Sequence, residues 1–140
     1  MTREELTGIP VLAKRIKQKE QALRELRAAS VSIGSPTYTT HDRKGSHADR
    51  VGSLTARVVD LEADLQEDRL RLAELRLEAL RLFQTLSEPT REAMTYRYVI
   101  GDTWQRAAEQ VDIDEHYIYR LNRQALKALF DDNENPLAQT

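Results

Sequence analysis

The stretch TWQRAAEQVDIDEHYIYRLNRQALKAL, residues 103–129, decides the fold of the C-terminal part of this chain. Its apolar residues recur at helical spacing on both sides of the short segment Val111-Asp112-Ile113. A side-chain oxygen of Asp102 or Thr103 can accept the free backbone N–H groups of the first helix, and Asp114 can cap the second. The pattern therefore predicts two short helices joined by a tight turn, a helix-turn-helix.

The two predicted helices have different faces. Ala107 and Ala108 are small, so they allow the helices to cross closely, as this motif requires. The second helix carries an apolar stripe, which consists of Ile118, Leu121, Ala125 and Leu129. Its opposite face is polar, and we expect that face to be available to a DNA groove.

A third helix precedes this pair. Ser87 is a natural cap, Pro89 suits the first turn, and Gly101 can end the helix in the left-handed conformation. We therefore predict a three-helix domain over residues 87–130. The polar tail over residues 131–140 is predicted to be disordered.

The N-terminal part has the pattern of a coiled coil. Apolar residues alternate at spacings of three and four over residues 9–30 and 51–86. The segment near 31–48 is rich in Ser, Thr, Gly and Pro, which predicts a loop. One charged residue interrupts each apolar series, Lys19 in the first and Asp68 in the second. We hypothesise that they pair when the helices fold antiparallel, although two unrelated breaks on solvated helices are the alternative.

These patterns predict an all-α protein. An antiparallel coiled-coil hairpin over residues 1–86 precedes the helix-turn-helix domain. Four residues of the long helix, Leu70, Leu77, Leu80 and Phe83, widen its apolar surface beyond what one partner helix can cover. Either the C-terminal domain or a second chain packs there, and we expect a homodimer.

The composition and motifs of this 140-residue chain exclude several classes of function. The chain has no cysteine, which excludes disulfides and thiolate zinc sites, and its net charge of −2 provides no global basic field. The N-terminus lacks a signal-peptide pattern and no apolar run has membrane length, so we expect a cytoplasmic protein without membrane contact. No nucleophile–base pair or phosphate-binding glycine loop stands out, so we predict no enzyme and no cofactor.

Metal binding is not predicted either. The loop holds potential ligands by residue type, namely His41, Asp42, His47 and Asp49. Their spacing matches no helix face and no zinc pattern. We interpret them as solvated loop residues.

The run LSEPTREAMTYRYVIGDTWQRAAEQVDIDEHYIYRLNRQALKAL resembles the C-terminal promoter-reading domain of sigma factors of the sigma-70 class. The matching features are the Arg97-Tyr98 pair ahead of Gly101, the Thr103 cap, the Val111-Asp112-Ile113 turn and the Arg123-x-Ala125-Leu126 sequence near the C-terminal end of the run. With its heptad hairpin and Ser/Gly/Pro loop, the whole chain resembles phage-encoded, sigma-domain-like regulators of late transcription of the ArpU and RinA type.

This resemblance implies a DNA-binding transcription regulator that reads the −35 element in the major groove. Carried over by position, the base readers are Glu115, His116, Tyr119 and Arg120. The candidates for backbone contacts are Thr103, Tyr117, Arg123 and Lys127. Double-stranded DNA is the implied partner, together with RNA polymerase. Plain surface roles remain the alternative for these residues, and Trp104 fits the core better than a base-stacking role.

The charge balance departs from that family. Sigma domains are usually basic on this face, whereas residues 87–130 carry six cations against seven acids. A single domain should therefore neutralise few phosphates. A protein–protein module that binds RNA polymerase without reading bases is the main alternative. A small phage terminase subunit is a third, although its DNA-binding part commonly precedes its oligomerisation part.

Overall fold

The computed structural model describes residues 1–33 and 44–131, and the described residues contain no β-strand. The helices are α1 (Arg3–Thr7), α2 (Ile9–Ile33), α3 (Lys44–Phe83), α4 (Thr90–Met94), α5 (Trp104–Val111) and α6 (Glu115–Leu126). Two of them continue as π-helical turns, α4 over Thr95–Ile100 and α6 over Lys127–Asp131. The predicted all-α class is confirmed.

Most of the predicted loop and disordered tail, residues 34–43 and 132–140, lies outside the described residues. The predicted loop bounds near 31–48 are too wide, because residues 31–33 belong to α2 and residues 44–48 to α3. Asp131, predicted to lie in the disordered tail, belongs to the π-helical turn that follows α6.

The chain divides into two compact units. Unit 1 comprises Met1–Ala13 and Arg71–Thr140, and unit 2 comprises Lys14–Leu70. In the part of the chain that the structure describes, no helix is long and apolar enough to span a bilayer.

Unit 2 contains an antiparallel pair of helical segments from α2 and α3. Ile16 and Leu23 are buried on α2, as are Val58 and Leu65 on α3. Three ion pairs join the two segments, and their direction follows from the partners of Lys19 and Arg27, because the later residue on α2 pairs with the earlier residue on α3. They are Lys19–Asp68 at 2.6 Å, Glu20–Arg69 at 3.2 Å and Arg27–Glu62 at 2.5 Å.

The Lys19–Asp68 pairing, hypothesised from the two apolar series, is therefore confirmed. Both side chains are partly shielded, with relative exposures of 29% and 21%.

Exchanging the two charges tests the contribution of the Lys19–Asp68 pair to stability. We expect Lys19→Asp and Asp68→Lys each to lower the free energy of unfolding, and the double variant to recover about 1 kcal/mol of that loss. Urea denaturation of all four proteins measures this, and strictly additive losses would contradict a specific pair.

Unit 1 has its own apolar core, and helix α1 contributes to it although the apolar spacing did not predict this helix. Thr2 and Glu5 form a reciprocal capping box that starts α1. Leu6 and Ile9 are fully buried. Pro10 lies in the first turn of α2, where its missing N–H is not needed. Local capping signals and buried apolar side chains therefore fix this end of the chain.

The end of α3 also belongs to the core of unit 1. Phe83 is 0% exposed, and its ring centroid lies 6.1 Å from that of Tyr98. Of the four residues predicted to widen the apolar surface of α3, Phe83 is thus covered within the chain. Leu70, Leu77 and Leu80 stay exposed, at 62%, 50% and 36%.

Candidate nucleic-acid interface

The candidate interface begins at the link into α5. Gly101 has φ 94°, the left-handed conformation predicted for it, and its N–H donates to the Tyr96 carbonyl at 3.1 Å. The Thr103 side chain caps α5 by accepting the Arg106 backbone N–H at 3.2 Å. Of the two predicted caps, Asp102 and Thr103, the structure therefore uses Thr103.

Gly101 is conformationally required at this link. A Cβ there would lie 2.8 Å from Arg76 Nη2, and a left-handed φ strains any L side chain. We expect Gly101→Ala to lower the free energy of unfolding by about 1–2 kcal/mol in thermal and urea denaturation. Gly52→Ala is the matched control, because its Cβ meets nothing within 4 Å and alanine favours the helix interior. Equal effects of the two substitutions would contradict the strain argument.

The predicted cap at Ser87 is wrong. Helix α4 begins at Thr90, and Pro89 occupies its N-cap position. No side chain makes a cap hydrogen bond there. The Ser87 backbone carbonyl instead accepts the Arg91 N–H at 3.0 Å. The Ser87 backbone oxygen thus already accepts an N–H of the first turn of α4, so the Ser87 hydroxyl is not needed as an acceptor there.

The turn between α5 and α6 lies one residue later than predicted, because Val111 still belongs to α5. Asp112 ends α5 in the left-handed conformation, with φ 59° and ψ 50°, and the Ile113 N–H donates to Ala108 at 3.0 Å. Asp114 occupies the N-cap position of α6 with extended backbone, as predicted. Its side chain makes no cap hydrogen bond, so the carboxylate is left at the positive end of the helix.

A small core holds α5 and α6 together. Its buried members are Ala93, Ala107, Ala108, Ile118 and Leu121, and Tyr96, Trp104, Val111 and Ile113 pack against it. The alanines are almost fully buried, which fits the predicted close approach of the two helices. The exposed face of α6 is thereby fixed in direction.

Aromatic contacts extend this core toward the exposed face. Trp104 packs edge-on against Tyr98, with ring centroids 5.9 Å apart, and its ring lies 5.5 Å from that of Tyr119. The Arg97 guanidinium lies 4.7 Å from the Trp104 ring centroid. Trp104 is half-buried, because its ring contacts Tyr98, Arg97 and Tyr119, which fits a packing role.

A hydrogen bond from Tyr98 also supports α6. The Tyr98 hydroxyl donates to Asn122 Oδ1 at 2.8 Å. Burial raises the pKa of this hydroxyl above its usual range, which keeps the donor protonated. Sequence reasoning missed Asn122, because a contact between residues 24 positions apart leaves no local signal.

The predicted DNA-contacting residues are all exposed. These exposed residues are Thr103, Glu115, His116, Tyr117, Tyr119, Arg120, Arg123 and Lys127. Thr103 is engaged as a cap, and the Tyr119 hydroxyl donates to Glu115 at 3.3 Å. Tyr117 and Tyr119 are 40% and 38% exposed. Both tyrosines are therefore accessible on the surface of α6.

Four of these residues share one face of α6 and its continuation at Lys127, the residue that follows it. His116, Arg120, Arg123 and Lys127 follow helical spacing of four, three and four. The buried residues Ile118, Leu121 and Ala125 occupy the other side. Among the described residues, no carboxylate lies within ion-pair distance of Arg120, Arg123 or Lys127. We call these four residues the α6 stripe.

Acidic residues border the stripe. Glu109, Asp112, Asp114 and Glu115 are exposed around the turn before α6. Within the described ranges no group of three His, Asp or Glu side chains could hold a metal ion, and two of the loop ligand types, His41 and Asp42, lie outside them.

Comparisons with protein-family models, curated proteins and solved structures gave no match to this chain.

Proposed function

We propose that the chain is a DNA-binding transcription regulator of phage or prophage origin, built as a coiled-coil hairpin followed by a sigma-like helix-turn-helix domain. Helix α6 would enter the major groove of a promoter element, in cooperation with RNA polymerase or a second protomer. The observation that carries this proposal is the α6 stripe. Its three permanent cations are exposed, share one face of a helix and lack carboxylate partners among the described residues.

The chemistry of α6 fits base reading. Arg120 can donate two hydrogen bonds to guanine O6 and N7, and Glu115 can accept from cytosine N4. His116 can donate to a base or a phosphate. The Tyr119 ring, packed on Trp104, keeps a fixed position beside Glu115. A preorganised side chain loses less conformational freedom when it binds.

Backbone contacts would position the helix. Arg123 and Lys127 extend the stripe away from the base-reading end of α6 and can neutralise phosphates. The Thr103 hydroxyl oxygen accepts the Arg106 N–H, so its own O–H can donate to a phosphate. The Tyr117 hydroxyl is the remaining candidate for such a contact. These groups would give affinity and register without sequence information.

Arg120→Ala separates base reading from general attraction. Selection from a randomised duplex library first defines the preferred sequence of the wild-type protein, and fluorescence anisotropy then measures affinity across a salt series. We expect Arg120→Ala to weaken the preferred sequence by about 1–3 kcal/mol and to relax selectivity. Arg24→Ala is the control, because Arg24 is an exposed arginine on α2 in unit 2. The absence of any enriched sequence would contradict the proposal.

Lys127→Ala should act differently. Loss of a phosphate contact weakens binding to all sequences about equally and reduces the slope of log affinity against log salt by about 1. The same anisotropy series provides both quantities. A change in sequence preference instead would assign Lys127 to base reading.

The acidic border of α6 favours a second candidate, a module that binds RNA polymerase without reading bases. Glu109, Asp112 and Asp114 would repel phosphates but could pair with basic residues of a protein partner. Pull-down of polymerase subunits by wild-type protein, unchanged by Arg120→Ala, would favour this candidate. Loss of polymerase capture by the Arg120→Ala variant would argue against this second candidate.

A further inference from the structure

A series of side-chain contacts runs from the core of unit 1 to the exposed surface of α6. Tyr98 is buried, at 3% exposure, and packs edge-on against Trp104. The Trp104 ring in turn contacts the ring of Tyr119, which is 38% exposed. The Tyr119 hydroxyl then donates to Glu115 Oε1. The Glu115 carboxylate is therefore linked, side chain by side chain, to a fixed part of the core.

Trp104 can serve as a fixed support because its neighbours restrict its ring. The planes of the Tyr98 and Trp104 rings lie at 89° to each other, and the Arg97 guanidinium lies 4.7 Å from the Trp104 ring centroid. Arg97 Nη1 also donates to the Asp102 carbonyl at 3.1 Å, which holds the guanidinium in place. Edge-to-face and cation–π contacts depend on orientation as well as on distance, so a rotation of the Trp104 ring would weaken both.

The Tyr119 hydroxyl is engaged by Glu115, which lies four residues earlier on the same face of α6. A phenol has one hydrogen to donate, so this bond leaves Tyr119 without a donor for a base or a phosphate. The O···O distance of 3.3 Å exceeds the usual value of about 2.7–2.8 Å. The bond therefore directs the carboxylate more than it stabilises the fold.

Glu115 lies where a recognition helix reads bases. It is the first residue of α6, and the N-terminal residues of such a helix contact base edges in the major groove. Tyr119 occupies Oε1, which leaves Oε2 for a ligand. An ionised carboxylate only accepts hydrogen bonds, and the donors in the major groove are cytosine N4 and adenine N6. Adenine places its N7 acceptor beside that donor, where it would repel a carboxylate, so cytosine is the better match.

We propose that Tyr119 is a positioning residue, which is supported by Trp104 and orients the Glu115 carboxylate toward a cytosine N4 amino group without contacting a base itself. This inference rests on the proposed DNA-binding function and adds the residues that set the preference at one base pair. It differs from the direct base reading that the resemblance implies for Tyr119. Loss of the Tyr119 hydroxyl should therefore change selectivity at that one base pair.

A double-mutant cycle over Tyr119→Phe and Glu115→Ala tests the positioning role. The base pair concerned is the one at which Glu115→Ala lowers selectivity, and we expect a C·G pair there. Replacing it by T·A puts the thymine O4 acceptor in place of the N4 donor. Fluorescence anisotropy on the two duplexes gives the discrimination ratio of the wild type, both single variants and the double variant.

The single variants should lower this ratio by different factors. We expect a loss of at least about tenfold for Glu115→Ala and of about three- to tenfold for Tyr119→Phe. In the Glu115→Ala background, Tyr119→Phe should have no further effect, because the group that it positions is already gone. Multiplying losses in the double variant would show that Tyr119 reads the base independently, and would overturn the proposal.

Tyr96→Phe is the matched control. It removes the same hydroxyl from a tyrosine of unit 1 that packs against the core and lies outside α6. Its discrimination ratio should equal that of the wild type. An equal loss in Tyr96→Phe and Tyr119→Phe would overturn the proposal, because the effect would then not come from the hydroxyl beside Glu115.

Trp104 fluorescence shows whether the ring contact survives in the variants, because Trp104 is the single tryptophan of the chain. Tyr119→Phe keeps the ring, so its emission maximum should match that of the wild type. Tyr119→Ala removes the ring and should shift the emission to the red. A red shift of Tyr119→Phe as large as that of Tyr119→Ala would overturn the proposed support of Tyr119 by Trp104.

The two proposals fail in different ways. If the wild-type protein enriches no sequence from the duplex library, the DNA-reading function fails, and the positioning role fails with it. If it enriches a sequence in which Glu115→Ala changes selectivity at no position, the DNA-reading function stands and the positioning role alone is overturned. A base other than cytosine at the position that depends on Glu115 would overturn the assigned ligand.

Discussion

Phe83→Ala is expected to lower the free energy of unfolding by about 3–5 kcal/mol. Phe83 is fully buried, and its ring contacts Tyr98, which itself donates to Asn122 on α6. Alanine removes most of the side chain and leaves a cavity that neighbouring groups fill only in part. Urea denaturation followed by circular dichroism, at a concentration below any self-association, measures the loss.

Val11→Ala provides the control for Phe83→Ala. Val11 is an aliphatic residue of the same unit but is 67% exposed, so its truncation should change stability by less than about 0.5 kcal/mol. The comparison also bears on domain organisation. If residues 87–130 formed an independent core, Phe83→Ala would unfold no more easily than the control. A large difference would place the end of α3 inside that core.

The helices and several of their ends follow from local patterns in the sequence. Gly101 acts through its own backbone, so capping rules predict its role without knowledge of the fold. The same rules restrict the cap of α5 to Asp102 or Thr103, and the structure shows which of the two is used. The Lys19–Asp68 pair was predictable because both residues interrupt regular apolar series. Periodicity likewise placed Ile118, Leu121 and Ala125 on the buried side of α6.

Features that depend on packing were not predictable in this way. The π-helical turns over Thr95–Ile100 change the register of a helix that local spacing describes as regular. Spacing alone places Phe83 in one group with Leu70, Leu77 and Leu80, because it cannot show which neighbour covers each side chain. Asp114 was correctly placed, but its missing cap hydrogen bond depends on side-chain geometry.

For the candidate site too, the sequence predicts some features and only the structure shows the others. Exposure of Arg120, Arg123 and Lys127 followed from the helical phase of α6. The contacts that orient Tyr119, namely the Trp104 ring and the Glu115 carboxylate, required the structure.

Ile118→Ala should have the other large effect, a loss of about 2–5 kcal/mol in the free energy of unfolding. Ile118 is 0% exposed and belongs to the core that joins α5 and α6. Ile118→Val removes one methylene group and should cost about 0.5–1.5 kcal/mol, which gives a graded series. Ile100→Ala is the matched control, because Ile100 is 54% exposed.

The same variants connect stability to the proposed DNA binding. If the core fixes the direction of the α6 stripe, Ile118→Ala should lose DNA affinity as it loses stability, whereas Arg120→Ala should lose affinity while its unfolding midpoint stays unchanged. Anisotropy and urea denaturation on the same samples separate the two cases. An Ile118→Ala protein that is strongly destabilised but, while still folded, binds its preferred sequence like the wild type would show that α6 does not need this core to be oriented. An Ile118→Ala protein as stable as Ile100→Ala would contradict the packing argument itself, because the deleted atoms would have had no close neighbours to lose.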